Sequence, residues 1–120
     1  MSSYLLPPII YLDSKDFTSA GNLKAFKDKT CIVMVQANWC GACKSAKPAY
    51  QSFASKNKNV VCLTIEEDSA SSDNSERLDL VKKLKPSFEG FPDYLLFKKG
   101  TYVDKEINGR TEASLEEFSR

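Results

Sequence analysis

The run Cys31-Ile-Val-Met-Val-Gln-Ala-Asn-Trp-Cys-Gly-Ala-Cys-Lys44 decides how this chain folds. Its first half, Cys31 to Ala37, is apolar on both alternating faces. A strand of that kind is buried on both sides, as in a parallel sheet covered by helices. Asn38 and Trp39 end it, and Cys40 and Cys43 follow in C-x-x-C spacing. Beyond them Cys43, Ala46, Tyr50, Phe53 and Ala54 recur at helical spacing. Pro48 falls inside that helix and is expected to kink it, because it cannot bond the carbonyl of Lys44.

Working outward, Ile9 to Leu12 reads as a short strand. Asp16 to Asp28 reads as a helix with Phe17, Leu23 and Phe26 inward and Gly21 weakening it. Val60 to Ile65 is a second buried strand. Glu66 to Ser75 is acidic, Ser-rich and aperiodic, so it reads as a loop. Asp73 with Glu76 suggests a capping box for a helix through Leu84, with Leu78, Val81 and Leu84 inward. Asp93 to Lys98 and Tyr102 to Ile107 form a hairpin around Lys99-Gly100. Asn108-Gly109 breaks the chain, and Thr111 can cap a last helix carrying Leu115 and Phe118. The order predicts one α/β domain over residues 1–120: parallel strands joined by right-handed crossovers, then an antiparallel hairpin, in a mixed sheet flanked by about four helices.

Composition narrows the function. The 120 residues are 42% hydrophobic and 28% charged, with a net charge of +1. That balance excludes the basic excess of a nucleic-acid binder. No apolar run approaches the ~18 residues of a membrane helix. The apolar stretch Tyr4 to Leu12 is short, holds two prolines and has no basic residue before it, so it fails as a signal peptide. A cytoplasmic monomer without membrane contact is expected. The absence of histidine removes Ser-His-Asp and Cys-His catalysis and most zinc chemistry. Cys31 and Cys62 fall in strand interiors at no usual ligand spacing, so they are expected to be small buried apolar residues. No metal and no cofactor are expected.

The chemistry then rests on Cys40 and Cys43. A free thiol near pKa 8.5 is only ~3% ionised at pH 7. At a helix N-terminus, free N–H groups and the helix dipole favour the thiolate. Cys40, first of the pair, is the expected nucleophile. Cys43, one turn later, is placed to attack the mixed disulfide that Cys40 forms. Trp39 beside such a loop is expected to be partly exposed. Pro92 could start a strand, or could form a cis bond that holds a loop against the cysteines.

Trp39-Cys-Gly-Ala-Cys-Lys44 resembles the thioredoxin motif W-C-G-P-C-K. Pro48 matches that family's helix-kinking proline. Gly90-Phe-Pro92 with Tyr94-Leu-Leu-Phe-Lys-Lys-Gly100 resembles its G-I-P-T-L-L-L-F-K-N-G segment. Ile9 to Leu12 is similar to its first strand, and Asn108-Gly109 to its glycine turn. The resemblance implies a thioredoxin fold and protein dithiol–disulfide exchange, with Cys40 attacking and Cys43 resolving. It implies a cis Pro92, and a substrate surface of Trp39, Gly41, Ala42, Ile65, Phe91, Pro92 and Gly109. A reductase is favoured over an oxidase, acting on disulfide-containing proteins and drawing electrons from a thioredoxin-reductase-type donor. The departures are specific. Ala42 replaces the proline between the cysteines. Met34 stands where the family has a buried aspartate credited with accepting the resolving proton. Cys62 replaces a lysine near it, and Phe91 and Asp93 replace the usual neighbours of the cis-proline. Two alternatives stay open: a binding module of the same fold, and a glutaredoxin-like enzyme, against which C-G-A-C argues.

Overall fold

The computed structural model describes residues 4–67 and 74–120. Strands β1 (Ile10–Tyr11), β2 (Thr30–Gln36), β3 (Val60–Glu66), β4 (Asp93–Lys98) and β5 (Thr101–Val103) form one sheet in the order β1-β3-β2-β4-β5. β1, β3 and β2 run parallel, while β4 is antiparallel to β2 and β5 to β4. Helices α1 (Gly41–Lys56), α2 (Asn74–Leu84) and α3 (Glu112–Ser119) cover the sheet.

The two-faced pattern of β2 explains the layering. Cys31 through Val35 are all fully buried. Ile32 and Met34 point to one side, where they pack with Ala46, Tyr50 and Phe53 of α1 and Leu115 and Phe118 of α3. Cys31, Val33 and Val35 point to the other, where they meet Leu63, Val81, Leu95 and Phe97. Burying one such side chain contributes about 1.5–3 kcal/mol, so leaving either face bare would cost several kcal/mol. Tyr50 ties α1 to the sheet. Its hydroxyl lies 2.8 Å from the Ile32 carbonyl and 2.7 Å from that of Leu63, and accepts from the Leu63 amide at 3.1 Å.

The segment from Asp16 to Asp28 is not a helix. A short 3-10 helix covers Ser14–Asp16, Phe17 bridges antiparallel to Leu23, and turns fill the rest. Phe17, Leu23 and Phe26 do face the core. Leu23 and Phe26, three apart, would share a helical face, but Phe17, six residues before Leu23, would point away from both. Local polar bonds win instead: the Asn22 amide donates to Thr18 Oγ1 at 3.1 Å, and the Thr18 amide to the Asn22 carbonyl at 2.8 Å. Gly21 and Phe26 take positive φ, which a helix forbids. Three α-helices therefore stand, among the described residues, where about four were expected.

The hairpin is shorter than expected, because β5 stops at Val103. Past it, Glu106 is drawn to Lys85 at 3.0 Å, and Lys105 Nζ donates to the carbonyls of Glu117 and Arg120 at the end of α3. The turn itself has Lys99 and Gly100 at φ 54° and 83°. Two successive positive values are the signature of a type I′ hairpin. The capping role expected of Asp73 lies outside the described residues.

Candidate active site

Cys40 is the N-cap of α1. Its backbone is extended, with φ −87° and ψ 113°, and its sulfur accepts the Cys43 amide at 3.1 Å. That amide is one of the orphan donors of a helix start. The Cys40 thiol in turn donates to the Phe91 carbonyl at 3.5 Å. The Phe91–Pro92 bond is cis, as the resemblance implied. All four cysteines are free thiols.

The two thiols differ in burial. Cys40 is 8% exposed and Cys43 is fully enclosed. Burial first, and the neighbouring Cys40 next, push the Cys43 thiol up to about 12. A backbone hydrogen bond at Ala37 and the Lys47 ammonium oppose that rise. Burial also raises Cys31 to about 11 and Cys62 to about 12, which leaves both as inert core residues at neutral pH. Met34, fully buried, faces Tyr94 across the β2–β4 ladder.

Around Cys40 the surface is aromatic and open. Trp39 is 65% exposed and stacks edge-on against Phe91 at 5.6 Å, and Phe91 meets Phe88 at 5.4 Å. The Trp39 indole donates to Glu67 at 3.1 Å. Gly41 and Ala42 are exposed, and a Cβ at Gly41 would meet nothing within 4 Å. Gly109 is exposed at φ +107°, a value that favours glycine. Pro92 is buried behind Phe91. Ile65 is not on this surface. It pairs with Val35 and is fully buried in the opposite core layer. Strand parity sets this, since Leu63 and Ile65 share one face while Cys62 and Thr64 take the other.

Several residues at the site carried no sequence signal. Lys85, whose side chain is 2% exposed, donates to Asp93 at 2.8 Å and to Glu106 at 3.0 Å. Burial alone would lower its pKa, but these two carboxylates outweigh that and raise it. Asp93 also accepts the Tyr94 amide at 2.8 Å, so the residue after the cis-proline is anchored rather than free at the surface. Lys47 is buried on α1 one turn past Cys43. Of the acidic run, Glu66 is a buried strand residue and Glu67 holds Trp39, while residues 68–73 lie outside the described residues. Among the described residues no cluster of His, Cys, Asp or Glu could hold a metal ion. None of their helices is long and apolar enough to cross a membrane.

The family model named Thioredoxin matches residues 9–120. The chain belongs to the thioredoxin family. It is 36% identical over 118 residues to a thioredoxin-like protein of Invertebrate iridescent virus 6, covering 86% of this chain and 85% of that one. It is 38% identical over 112 residues to thioredoxin of Callithrix jacchus, covering 89% and 95%. Mitochondrial thioredoxin 3 of Saccharomyces cerevisiae, in oxidized form, superposes with TM-score 0.68 at 22% identity over 98% of this chain and 97% of that one. Thioredoxin f2 in complex with ferredoxin:thioredoxin reductase gives TM-score 0.64 at 23% identity over 91% and 89%. Those two likenesses show the fold. Family and fold together make the chain a protein-disulfide oxidoreductase of the thioredoxin type.

Proposed function

We propose that this chain is a dithiol reductase of protein disulfides, with Cys40 as nucleophile and Cys43 as resolving thiol. The Cys40 thiolate attacks one sulfur of the substrate disulfide and expels the other as thiolate, leaving a mixed disulfide. Cys43, once deprotonated, attacks the Cys40 sulfur and releases the second substrate thiolate, and the Cys43 proton passes through solvent to a departing sulfur. The substrate gains two electrons and the Cys40–Cys43 pair loses them. The observation that carries this reading is the Cys40 sulfur: it caps α1, accepts the Cys43 amide and touches the cis-proline loop.

Trp39, Gly41, Ala42, Phe91 and Gly109 form the proposed substrate surface, with an extended substrate segment lying along the backbone beside the buried Pro92. Regeneration calls for a reductase-type donor, a role supported by the structural neighbour solved with ferredoxin:thioredoxin reductase. We place the chain, as a single-domain monomer, in a reducing compartment such as the cytoplasm, where dithiols persist. Insulin reduction in the presence of dithiothreitol tests the reading. Catalysis that Cys40→Ser abolishes is expected. A rate no higher than dithiothreitol alone would favour a binding module of the same fold.

A further inference from the structure

Phe88 lies outside the surface that the resemblance implied, yet the fold carries its ring to the site. Its amide donates to the Lys85 carbonyl at 2.9 Å, in a tight turn just past α2. Lys85 is itself held by Asp93 at 2.8 Å and Glu106 at 3.0 Å, so the turn is fixed to the start of β4. The Phe88 ring meets Phe91 edge-on, with centroids 5.4 Å apart and planes at 70°. Phe91 meets Trp39 in the same way, at 5.6 Å and 87°. Phe91 also packs against Ala37, Cys40 and Cys43, and its carbonyl lies 3.5 Å from the Cys40 sulfur. Trp39 and Phe91 thus flank the nucleophile, and Phe88 extends the row of rings beyond them. A Cβ on Gly90, between the two phenylalanines in the chain, would meet nothing within 4 Å, so that stretch of backbone is open to a ligand.

We propose that Phe88 is a specificity residue of the exchange: with Trp39 and Phe91 it selects disulfides whose reacting cysteine has an aromatic residue two positions away in the substrate chain. The inference rests on the reading of Cys40 as nucleophile given above. In an extended substrate segment side chains alternate, so the residue two positions from the cysteine shares its face and lies about 6–7 Å along. That reach is close to one ring spacing of the row. Phe88 and Phe91 also rest on the core layer beneath them, but both stay part-exposed, and core packing alone would be served by any apolar side chain. Edge-on ring pairs are favoured beyond the area they bury, which separates phenylalanine in the substrate from leucine. The two ends of the row are fixed before the substrate arrives, Trp39 by its indole bond to Glu67 at 3.1 Å and Phe88 by the Lys85 turn, so little ordering opposes the contact. The rings exchange no proton and no electrons; they bind the segment whose disulfide Cys40 attacks.

Disulfide-linked peptide homodimers test this, each chain carrying one cysteine with either Phe or Leu two positions to both sides. Both sulfurs of such a dimer then present the same flank, whichever one Cys40 attacks. Rapid mixing with the reduced protein, acid quenching and liquid chromatography of the released peptide give the second-order rate constants. The Phe dimer should react roughly fivefold faster than the Leu dimer. Phe88→Leu keeps the apolar bulk and removes the ring, and should bring that ratio below about twofold. Because both dimers meet the same protein, a partial loss of folded chain cancels from the ratio. Equal rates for the two dimers with the unmodified chain overturn the proposal, and so does a ratio that survives Phe88→Leu. Failure of the unmodified chain to reduce either dimer would instead sink the reading of Cys40, and the role of Phe88 with it.

Discussion

Replacing Lys85 with methionine tests whether the cis-proline loop is held by one buried cation. The Lys85 ammonium joins the end of α2, where its amide donates to the Val81 carbonyl at 2.8 Å, to the start of β4 and to the segment after β5. Methionine keeps the buried stem and removes two charge-assisted bonds. The arm to Glu106 ends on a carboxylate 65% exposed, which water can solvate, so it is worth at most about 1 kcal/mol. The arm to Asp93 ends on a carboxylate only 17% exposed, which would keep the Tyr94 amide alone. Hydrogen bonds to charged groups contribute about 1.5–3 kcal/mol each when sheltered. Lys85→Met should therefore cost about 2–4 kcal/mol, a fall of roughly 10 °C in Tm for a chain of this size. Urea unfolding at neutral pH measures it, with an unchanged slope and a lower midpoint. The pH dependence has a definite sign. The folded pKa of Lys85 is raised, so the stabilisation is fully present below the unfolded lysine value near 10.4 and is lost as pH rises through the higher folded one. The gap between the two proteins should hold from about pH 7 to 9 and close only above about 10.5. A gap under about 0.5 kcal/mol at pH 7, within the range of ordinary surface substitutions, would refute the reasoning.

The remaining predictions concern the exchange itself. Cys43→Ser should accumulate a mixed disulfide through Cys40 when mixed with a disulfide peptide, and Cys40→Ser should accumulate none; mass spectrometry of digests reads the linkage, and trapping through Cys43 would reverse the assignment. Met34→Asp should speed the second step of a single turnover while lowering stability by about 1–3 kcal/mol, since an acid is forced into a fully buried site. An unchanged or slower second step would show that proton loss is not what limits it. Glu67, fixed beside exposed Trp39, should favour disulfides flanked by lysine over those flanked by glutamate, mainly in on-rate. Within a Debye length of about 8 Å the preference should fade with added salt, and equal rates at low salt would dismiss it.

Features set by neighbours in sequence were legible from the chain alone. β2 is apolar on both faces, so its burial in a covered sheet could be read without any partner. Helix α1 begins at the C-x-x-C because strand and helix periodicities change there. The chain alone left Pro92 open between a strand start and a cis bond, and only the resemblance implied the cis form. Misreadings arose where tertiary partners overrule local pattern. Three apolar residues between Asp16 and Asp28 suggested a helix, yet Leu23 is held by its amide donating to the Gly100 carbonyl at 2.9 Å, a partner far along the chain. Asp93 stood out only as a departure beside Pro92, and nothing in the chain signalled its ion pair with the buried Lys85. Ile65 was placed on the substrate surface by resemblance, although alternation along β3 sends it to the layer away from α1. Lys85 acquires meaning only when α2, β4 and the segment after β5 meet, and Glu67 only when the end of β3 meets Trp39.

The unequal burial of the two thiols bears on the order of events. Burial and the neighbouring Cys40 push the Cys43 thiol well above its ordinary range, so Cys43 stays protonated in the resting dithiol at neutral pH. Part of that barrier comes from Cys40 itself, through its hydrogen bond to Cys43 and its charge. Both contributions act only while the Cys40 sulfur is free. Once Cys40 is bound to a substrate sulfur it carries no charge, and that opposition to Cys43 ionisation disappears. Burial alone then remains, offset by Lys47 and the hydrogen bond at Ala37. The first attack thus lowers the barrier to the second. The same coupling disfavours premature ionisation of Cys43 before a substrate is attached. The ring platform of Trp39, Phe91 and Phe88 lies where the proposed reading needs a surface to hold the substrate while the buried thiol ionises.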